Sequence, residues 1–432
     1  MTADIAWIEA ALTSARPQAM SALLRYFRDL DMAEEAFQEA CLRALRTWPE
    51  NGPPRAPVAW LVLVGRNSGI DSLRRTRRET GLPPEQMLSD LGDAEADMAE
   101  RLDDRHYRDD ILRLLFICCH PDLPANQQIA LALRIVAGVP MRQIARAFLV
   151  SEAAMEQRIT RAKARVAKAD LAFGPPDALA RNERLGAVAL MIYLIFNEGY
   201  SRGYADKAAA RLCDEAIRLA RILLGLFQTE PEIMGLLALM LLQHARAAAR
   251  TDANGQIVLL EDQDQTLWNQ AMIAEGLALT DKATRHRQPG SYQVQAAIAA
   301  VHARARNAAE TDWARIEALY SLLEHLQPSP VVRLNRAVAL GKIKGAEAAL
   351  AMIAPLADAL DGYFYYHGMR GGLLLQLDRY AEAREAFNRA IALAGTAAEA
   401  AHIRLHIDRI EAAFHDSAVS PSKPSPGPVE LR

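Results

Sequence analysis

A regular row of positively charged side chains follows residue 157. Arg158, Arg161, Arg165 and Lys168 recur at spacings of three, four and three residues, so a helix would place them on one face. Such a row can neutralise the phosphates of a nucleic acid, and an arginine can also donate two hydrogen bonds to a guanine. Residues 111–169 hold nine Lys or Arg and three Asp or Glu, a net charge of +6, whereas the whole chain carries −3. The excess is local and predicts a nucleic-acid surface on one module; the alternative is the solvated face of an ordinary helical hairpin.

The residues around this row predict a helix-turn-helix. Pro140 has the fixed φ that suits a helix start, and Ser151 is placed to cap the second helix through its hydroxyl. Steps of four, three and four residues in the second helix predict a buried stripe of Met155, Ile159, Ala162 and Val166. A helix of this kind fits the major groove of duplex DNA, with its basic edge along the phosphates.

A second cationic cluster ends another predicted helix, which begins at Val58. Its members are Arg74, Arg75, Arg77 and Arg78, with Arg66 and Asn67 earlier on the same helix. The proline-dense segment from Pro49 to Pro57 precedes it and predicts a stiff, non-helical loop. Two positive surfaces on one chain suggest that it reads two sites at a fixed separation, which is how a promoter is addressed.

An amphipathic helix is predicted before the proline-dense loop. Its buried face comprises Ala33, Ala36, Phe37, Ala40, Cys41, Ala44 and Leu45. Its outward residues are Glu35, Gln38, Glu39 and Leu42.

The remaining sequence predicts an all-α protein with a helical repeat. Residues 80–104 hold eight acids and one Arg, a net charge of −7, which indicates an acidic spacer between the two modules. After Phe173 the pattern is one of consecutive helical hairpins. The stretch GKIKGAEAALAMIAPL at Gly341 aligns with QLDRYAEAREAFNRAI at Gln376, an offset that is typical of tetratricopeptide-like repeats. Stacked hairpins form a scaffold with a concave binding surface.

Several classes of function find no support in the sequence. No catalytic constellation, Gly-rich phosphate loop or metal-ligand set is recognisable, so we expect no enzyme activity, no cofactor and no metal. The four cysteines do not form a disulfide framework, and Cys118-Cys119 is better read as small buried thiols than as metal ligands. The longest apolar run, Leu185–Phe196, has twelve residues, short of the roughly 20 that span a bilayer. We therefore expect a cytoplasmic protein without a membrane partner.

The first 170 residues resemble an extracytoplasmic-function (ECF) sigma factor. DMAEEAFQEACLRALRTWP is similar to region 2.2, which binds the clamp helices of the RNA polymerase β′ subunit. PVAWLVLVGRNSGIDSLRRTRR is similar to region 2.4, which faces the melted minus-ten element. Residues 138–166 resemble region 4.2, which reads the duplex minus-thirty-five element. The resemblance implies core RNA polymerase, through its β′ clamp helices and β flap, and promoter DNA as partners.

The same resemblance implies a set of contact residues. Polymerase contacts are Glu35, Gln38 and Glu39. Minus-ten contacts are Arg66, Asn67, Asp71, Arg74, Arg75, Arg77 and Arg78. Minus-thirty-five contacts are Ser151, Glu156, Gln157, Arg158, Arg161 and Arg165. We expect Asn67 and residues 156–158 to read bases and the proline-dense loop to receive a flipped base. Two positions depart from the pattern: Glu156 predicts a cytosine in the minus-thirty-five motif, and Leu149 replaces the usual turn glycine.

The rest of the chain resembles the large extension of ECF group 42. The matching stretches are YLIFNEGYS at Tyr193, LLEDQDQTLWN at Leu259 and SPVVRLNRAVAL at Ser329. Members of that group generally lack a dedicated anti-sigma factor, so the resemblance implies that the extension controls the sigma modules through an unknown ligand or protein. The competing hypothesis is a conventional helix-turn-helix regulator with a tetratricopeptide-like sensor domain that does not replace sigma.

These readings predict five segments. They are sigma region 2 in residues 1–79, an acidic linker in 80–109, sigma region 4 in 110–172, a tetratricopeptide-like regulatory domain in 173–415 and a disordered tail in 416–432.

Overall fold

The structure, a computed structural model, is all-α, as predicted. It describes residues 6–77, 111, 114–120, 122–148, 150–168, 178–201, 207–252, 256–395 and 397–419. Within these ranges the chain has helices and no β-strand, apart from an isolated bridge between Thr251 and Ile257. The predictions for the acidic linker, Arg78 and Leu149 lie outside the described residues. The chain divides into two compact units, Met1–Arg202 with Asp206–Phe227, and Gln228–Arg432 with Gly203–Ala205.

The first unit begins with a three-helix bundle. Its helices are α1 (Ala6–Phe27), α2 (Leu30–Asn51) and α3 (Pro57–Arg77). The carboxylate of Asp29 caps α2 by accepting from the backbone N–H of Met32 at 2.8 Å. The predicted apolar face of α2 is buried at Ala33, Ala36, Phe37, Ala40 and Ala44. Cys41 is only half-buried and Leu45 is exposed, so the prediction was wrong at these two edge positions.

The proline-dense loop is shorter than predicted. Pro49 lies inside the last turn of α2, and the helix continues to Asn51 before Gly52 ends it with a φ of +75°. Pro57 begins α3, where its fixed φ suits the first turn and its missing N–H costs nothing. The non-helical loop is therefore residues 52–56.

The predicted helix-turn-helix is present in the same unit. Its helices are α4 (Ala125–Ile135), α5 (Met141–Ala147) and α6 (Glu152–Lys168). The hydroxyl of Ser151 accepts from the backbone N–H of Ala154 at 3.2 Å, so the predicted cap of α6 is confirmed. The predicted stripe of α6, Met155, Ile159, Ala162 and Val166, is buried.

Two longer helices complete the first unit. They are α7 (Ala178–Ser201) and α8 (Lys207–Leu226), which pack against each other and against α4 and α5. The thiol of Cys119 lies 3.3 Å from the sulfur of Met191 in α7. Cys118 and Cys119 are both buried, as predicted for small apolar thiols.

The second unit is a run of helices in which most pack on the next. They are α9 (Pro231–His244), α10 (Gln270–Thr284), α11 (Ser291–Arg304), α12 (Trp313–Leu326), α13 (Pro330–Lys344), α14 (Ala346–Ile353), α15 (Phe364–Gln376), α16 (Tyr380–Leu393) and α17 (Ala397–Val419). The aligned stretches of the sequence repeat begin in α13 and at the end of α15, and each leads into the next helix. α17 continues to Val419, so the predicted boundary at residue 415 lies inside a helix.

The crossing of α15 and α16 has the small-against-large packing predicted from the repeat. A Cβ on Gly371 would lie only 2.6 Å from the ring of Phe387, so the two helices approach closely there. Leu374, Ala383 and Ala390 are buried in the same cluster. Of the helices in the described ranges, none combines the length and apolar character needed to cross a membrane.

Candidate nucleic-acid interface

The predicted recognition face of α6 points outward. Glu156 and Gln157 are exposed, and the guanidinium of Arg158 lies 5.8 Å from the ring centre of Phe148. That cation–π contact holds Arg158 beside the start of the helix without burying it fully. The structure therefore keeps residues 156–158 accessible at the N-terminal half of α6.

The remaining described cations of the row are also exposed, and local contacts orient them. Arg161 donates to the side-chain oxygen of Gln157 at 3.3 Å, and Arg165 donates to the backbone carbonyl of Asp122 at 3.2 Å. Lys168 ends α6, and its side chain lies outside the described part. The outward face of α6 is thus positive and solvated, as a phosphate-contacting surface requires.

The predicted minus-ten surface lies along α3. Asn67 is exposed, whereas the guanidinium of Arg66 lies over the ring of Tyr26 at 4.8 Å. The Nε of Arg66 is buried and has no hydrogen-bond partner among the residues that the structure describes. Asp71, Arg74, Arg75 and Arg77 continue the same helix, but their side chains lie outside the described part. Among the predicted minus-ten residues with described side chains, Asn67 is exposed to solvent.

The predicted polymerase contacts lie on the outer side of α2. Glu35 and Gln38 are exposed, and Glu39 is half-buried with one carboxylate oxygen 3.8 Å from Nε of Arg43. The side-chain amide of Gln38 donates to Glu34 at 3.2 Å. These three residues therefore share one accessible edge of α2, next to a carboxylate that is not accessible.

Glu34 is the buried centre of a charged network that sequence reasoning missed. Its carboxylate accepts from Nζ of Lys163 at 2.6 Å and forms an ion pair with Arg134, whose Nε lies 2.8 Å away. Lys163 also donates to Asp31 at 2.7 Å. The side chains of Glu34 and Lys163 are 7% and 14% exposed, so most of this contact is removed from water. The network joins the three-helix bundle directly to α4 and α6 of the helix-turn-helix.

The ionisation of Glu34 follows from its partners. Burial by itself would raise the pKa of Glu34, but the hydrogen bond from Lys163 and the charges of Lys163, Arg134 and Arg16 outweigh it and lower that pKa. Burial likewise opposes the charge on Lys163, yet its bonds to Asp31 and Glu34 raise the pKa of Lys163. Both shifts favour the ionised pair that the geometry shows.

Arg16 makes a second connection between the same two parts. Its guanidinium donates to the backbone carbonyls of Ile135 at 3.1 Å and Arg134 at 3.0 Å, so it satisfies the free carbonyls at the end of α4. The same guanidinium lies 4.9 Å from the ring centre of Phe37 in α2. Burial lowers the pKa of Arg16, and the nearby charge of Glu34 opposes that effect. Gly138, with a φ of +73°, leaves the space that Arg16 occupies.

The sequence held only a weak signal for this network. Glu34 stands between Ala33 and Ala36, on the flank of the predicted apolar face of α2, and Lys163 directly follows the buried Ala162. A charged residue at the edge of an apolar stripe can point to water or to a partner. Periodicity cannot distinguish these two outcomes.

Comparison with known families assigns the two modules. Residues 12–79 match the model of sigma-70 region 2, and residues 113–166 match that of sigma-70 region 4. The chain therefore contains sigma-70 regions 2 and 4, which support an RNA polymerase sigma factor. The region 2 match contains the exposed edge of α2 and the whole of α3. The region 4 match contains the outward face of α6 up to Val166. The two modules joined through Glu34 are therefore those that match sigma-70 regions 2 and 4.

The extension and a close relative complete the comparison. Residues 184–284 match a family of unknown function, DUF6596, which leaves the tetratricopeptide and group 42 readings as predictions. An uncharacterized protein of Rhizobium meliloti (strain 1021) is 68% identical to this protein over 410 residues, covering 95% of this chain and 97% of that protein. The similarity thus includes the extension as well as the sigma-70 regions.

Proposed function

We propose that this protein is an ECF-type sigma factor that binds core RNA polymerase, directs initiation at specific promoters and is regulated by its own C-terminal helical domain. The observation that carries the proposal is the presence of sigma-70 regions 2 and 4 on two helical modules with outward polar faces. Recognition and strand capture need phosphate charge, base-edge hydrogen bonds and a pocket for a base, and no catalytic group.

Each face is assigned a role in this proposal. Glu35, Gln38 and Glu39 bind the β′ clamp helices, and the helix-turn-helix module contacts the β flap and the minus-thirty-five element. Asn67 reads the minus-ten strand, with the arginines of α3 on phosphates. In α6, Glu156, Gln157 and Arg158 read base edges, because they stand at the exposed N-terminal end that enters a major groove first. Arg161 and Arg165 neutralise phosphates.

The contact between the three-helix bundle and the helix-turn-helix supports a mechanism in which the two modules must separate before they bind a promoter. The two promoter elements are about 25 base pairs apart, or about 85 Å at 3.4 Å per base pair. Arg158 precedes Lys163 by five residues, about 7.5 Å along α6, and Lys163 is bonded to α2. Asn67 is two positions from Gly65, which packs against Ala36 of α2, so both DNA-facing surfaces lie close to this contact. DNA is too stiff to bring the two promoter elements that close at low cost. We infer that the Glu34 contact belongs to a resting form and must separate before a promoter is engaged.

The packing of the first hairpin of the extension supports its proposed role in holding that resting form. Helices α7 and α8 pack on the helix-turn-helix, and Arg218 of α8 donates to the backbone carbonyl of Ala137 at 3.4 Å, just after α4. The charge of Arg218 also reaches Arg16, which joins α4 to the bundle. A change in α7–α8 can therefore alter the contact between regions 2 and 4, which gives the extension a physical route of control.

Run-off transcription with purified core polymerase tests the proposed function. We expect promoter-specific transcripts that need both the protein and core enzyme, from promoters selected out of a randomised template pool. Glu35→Lys with Gln38→Ala is expected to abolish transcription and polymerase binding, whereas Lys344→Met, an exposed position in the second unit, leaves both unchanged. Tight sequence-specific binding of duplex DNA by the protein alone, with no affinity for core enzyme, would instead identify a conventional helix-turn-helix regulator.

A further inference from the structure

The second unit contains a cavity that the sigma functions do not use. Its volume is about 650 Å³, within the range of small-molecule sites. The walls come from residues 259–268, from residues 302–311 and from α12 and α13. The first of these walls is the LLEDQDQTLWN stretch that the sequence singled out and that no other part of the proposed function requires.

The body of the cavity is aromatic and aliphatic. Trp268, Trp313 and Tyr320 line it together with Ile316 and Val338. Val338 is 41% exposed, so its side chain is accessible to a molecule that enters the cavity. Planar aromatic walls of this kind favour a flat apolar molecule, which can stack on or lie edge-on to the rings.

Most charged side chains that line the cavity already have an ion-pair or hydrogen-bond partner within the protein. Nζ of Lys342 lies 2.6 Å from the carboxylate of Glu261, and the carboxylate of Asp264 accepts from the backbone N–H and the hydroxyl of Thr266. Arg306 also lines the cavity; its side chain is exposed and forms no ion pair with any residue in the described ranges. Arg306 is therefore the charge that a ligand could still satisfy.

The cavity is held in shape by contacts between its walls. With its amide nitrogen facing the loop, Gln265 donates to the backbone carbonyl oxygens of Arg306 at 2.9 Å and Ala305 at 3.3 Å. The Lys342–Glu261 pair fixes α13 to the first wall. The ring of His302 packs edge-on against Trp313. Burial and the charge of Arg246 lower the pKa of His302 to about 4, so this imidazole is neutral at physiological pH. These contacts keep the site formed before a ligand enters.

Two polar atoms of the walls lack partners. The indole Nε1 of Trp268 and the side-chain oxygen of Gln263 are buried and have no hydrogen-bond partner within the described part of the chain. Buried polar groups are normally paired, because an unmade hydrogen bond costs about 1–3 kcal/mol. Neither atom is accessible from the cavity, so recognition of a charged ligand group is assigned to Arg306.

We propose that this cavity binds a small molecule with a planar apolar body and one carboxylate or comparable anionic group, which Arg306 recognises. The binding site stands on the geometry of the second unit alone. Its use as the input that controls the sigma modules rests on the proposed function.

Calorimetric titration of the full-length protein with 1-naphthoate tests the site, with 1-naphthamide as a neutral probe of the same shape. We expect saturable binding of 1-naphthoate at one site, at least tenfold tighter than 1-naphthamide. Arg306→Gln should remove that preference, and Val338→Trp should block both probes by filling the cavity. Arg315→Gln, an exposed arginine on α12 outside this cavity, should bind 1-naphthoate like the parent. Thermal melting checks that each variant is folded.

The outcomes are distinguishable. Equal binding of the two probes to the parent protein would overturn the anionic assignment, and binding that survives Val338→Trp would overturn the location. Absence of saturable binding by either probe would overturn the site. If run-off transcription fails while 1-naphthoate binds in an Arg306-dependent manner, the site stands and the proposed sigma function falls.

Discussion

Neighbouring residues of one type have opposite environments in this protein. Glu34 and Glu35 are consecutive carboxylates on α2, yet Glu34 is buried against Lys163 and Arg134 while Glu35 is exposed. A helix turns by about 100° per residue, so adjacent positions face different surroundings. The chemistry of each carboxylate is therefore set by what lies opposite it.

In the proposed function, Arg158 reads a base edge of the minus-thirty-five element. We expect Arg158→Ala to weaken binding of the selected promoter by about 1–3 kcal/mol and to relax the preference at one base pair, because a bidentate contact to a base edge is lost. Competition assays with promoters substituted at each position measure this. Arg146→Ala, an exposed arginine on α5, is the control. An equal loss on every sequence would show that Arg158 contacts phosphate only.

Three cysteines should be chemically inert in the folded protein. Burial raises the pKa of Cys119 to about 12, and burial together with Cys119 raises the pKa of Cys118. Burial also raises the pKa of Cys41 to about 11, although the charge of Arg16 opposes it. Because the thiolate is the reactive form, we expect slow alkylation of all three at pH 8 and rapid alkylation after unfolding in guanidinium. Mass spectrometry gives the rates, and rapid labelling of the native thiols would contradict this packing.

At the scale of the elements, close approach of α2 and α3 depends on a glycine. A Cβ at Gly65 would lie 2.9 Å from the backbone carbonyl oxygen of Ala36, which cannot move without shifting α2. We expect Gly65→Ala to lower the free energy of unfolding by about 1–3 kcal/mol through overpacking. Chemical denaturation measures the change.

Gly186 provides the matched control for this prediction. It lies in α7, and a Cβ there would meet no atom within 4 Å. Gly186→Ala should therefore stabilise the protein by up to about 1 kcal/mol through helix propensity. If both variants lost stability equally, the close crossing of α2 and α3 would not be the cause.

At the scale of the whole molecule, we propose that the ion pairs of Lys163 hold regions 2 and 4 together in the resting form. Lys163→Met leaves Asp31 and Glu34 without this partner. The buried bond to Glu34 contributes about 1.5–3 kcal/mol, whereas the bond to the exposed Asp31 contributes at most about 1 kcal/mol. We expect the contact to open, so that the radius of gyration from solution scattering rises and run-off transcription increases about tenfold or more. Lys344→Met should change neither quantity. A variant that stays compact and gains no activity would show that the contact is not a restraint.

Acid should open the same contact. The pKa of Glu34 is lowered in the folded protein, so its stabilising effect is present at neutral pH, above the unfolded value of about 4.3, and is lost as the pH falls through the folded pKa. We expect scattering to report separation of regions 2 and 4 below about pH 4. Glu34→Gln should remove that transition because an amide does not titrate in this range. An unchanged transition in this variant would assign it to another group.

Much of the fold could be predicted because it follows from short-range spacing. The buried stripe of α6 and the cap at Ser151 are properties of residues three or four positions apart, and a helix fixes their relation wherever it forms. The end of α2 was misjudged because Pro49 can occupy a final helical turn when the rest of the helix is packed. Local composition suggested a loop, and the packing of Trp48 against Trp7 and Trp60 helped to keep that turn helical.

The sequence by itself determined the all-α class, the helix-turn-helix and its outward positive row, because helical periodicity separates an apolar stripe from a charged face. Only the tertiary structure decided that Lys163 pairs with Glu34, 129 residues away, and that Arg16 caps the end of α4, 118 residues away. It also brought Arg306 and the aromatic side chains around one cavity in the second unit. Contacts at such separations depend on how packed helices meet, and no local pattern of residues encodes that meeting.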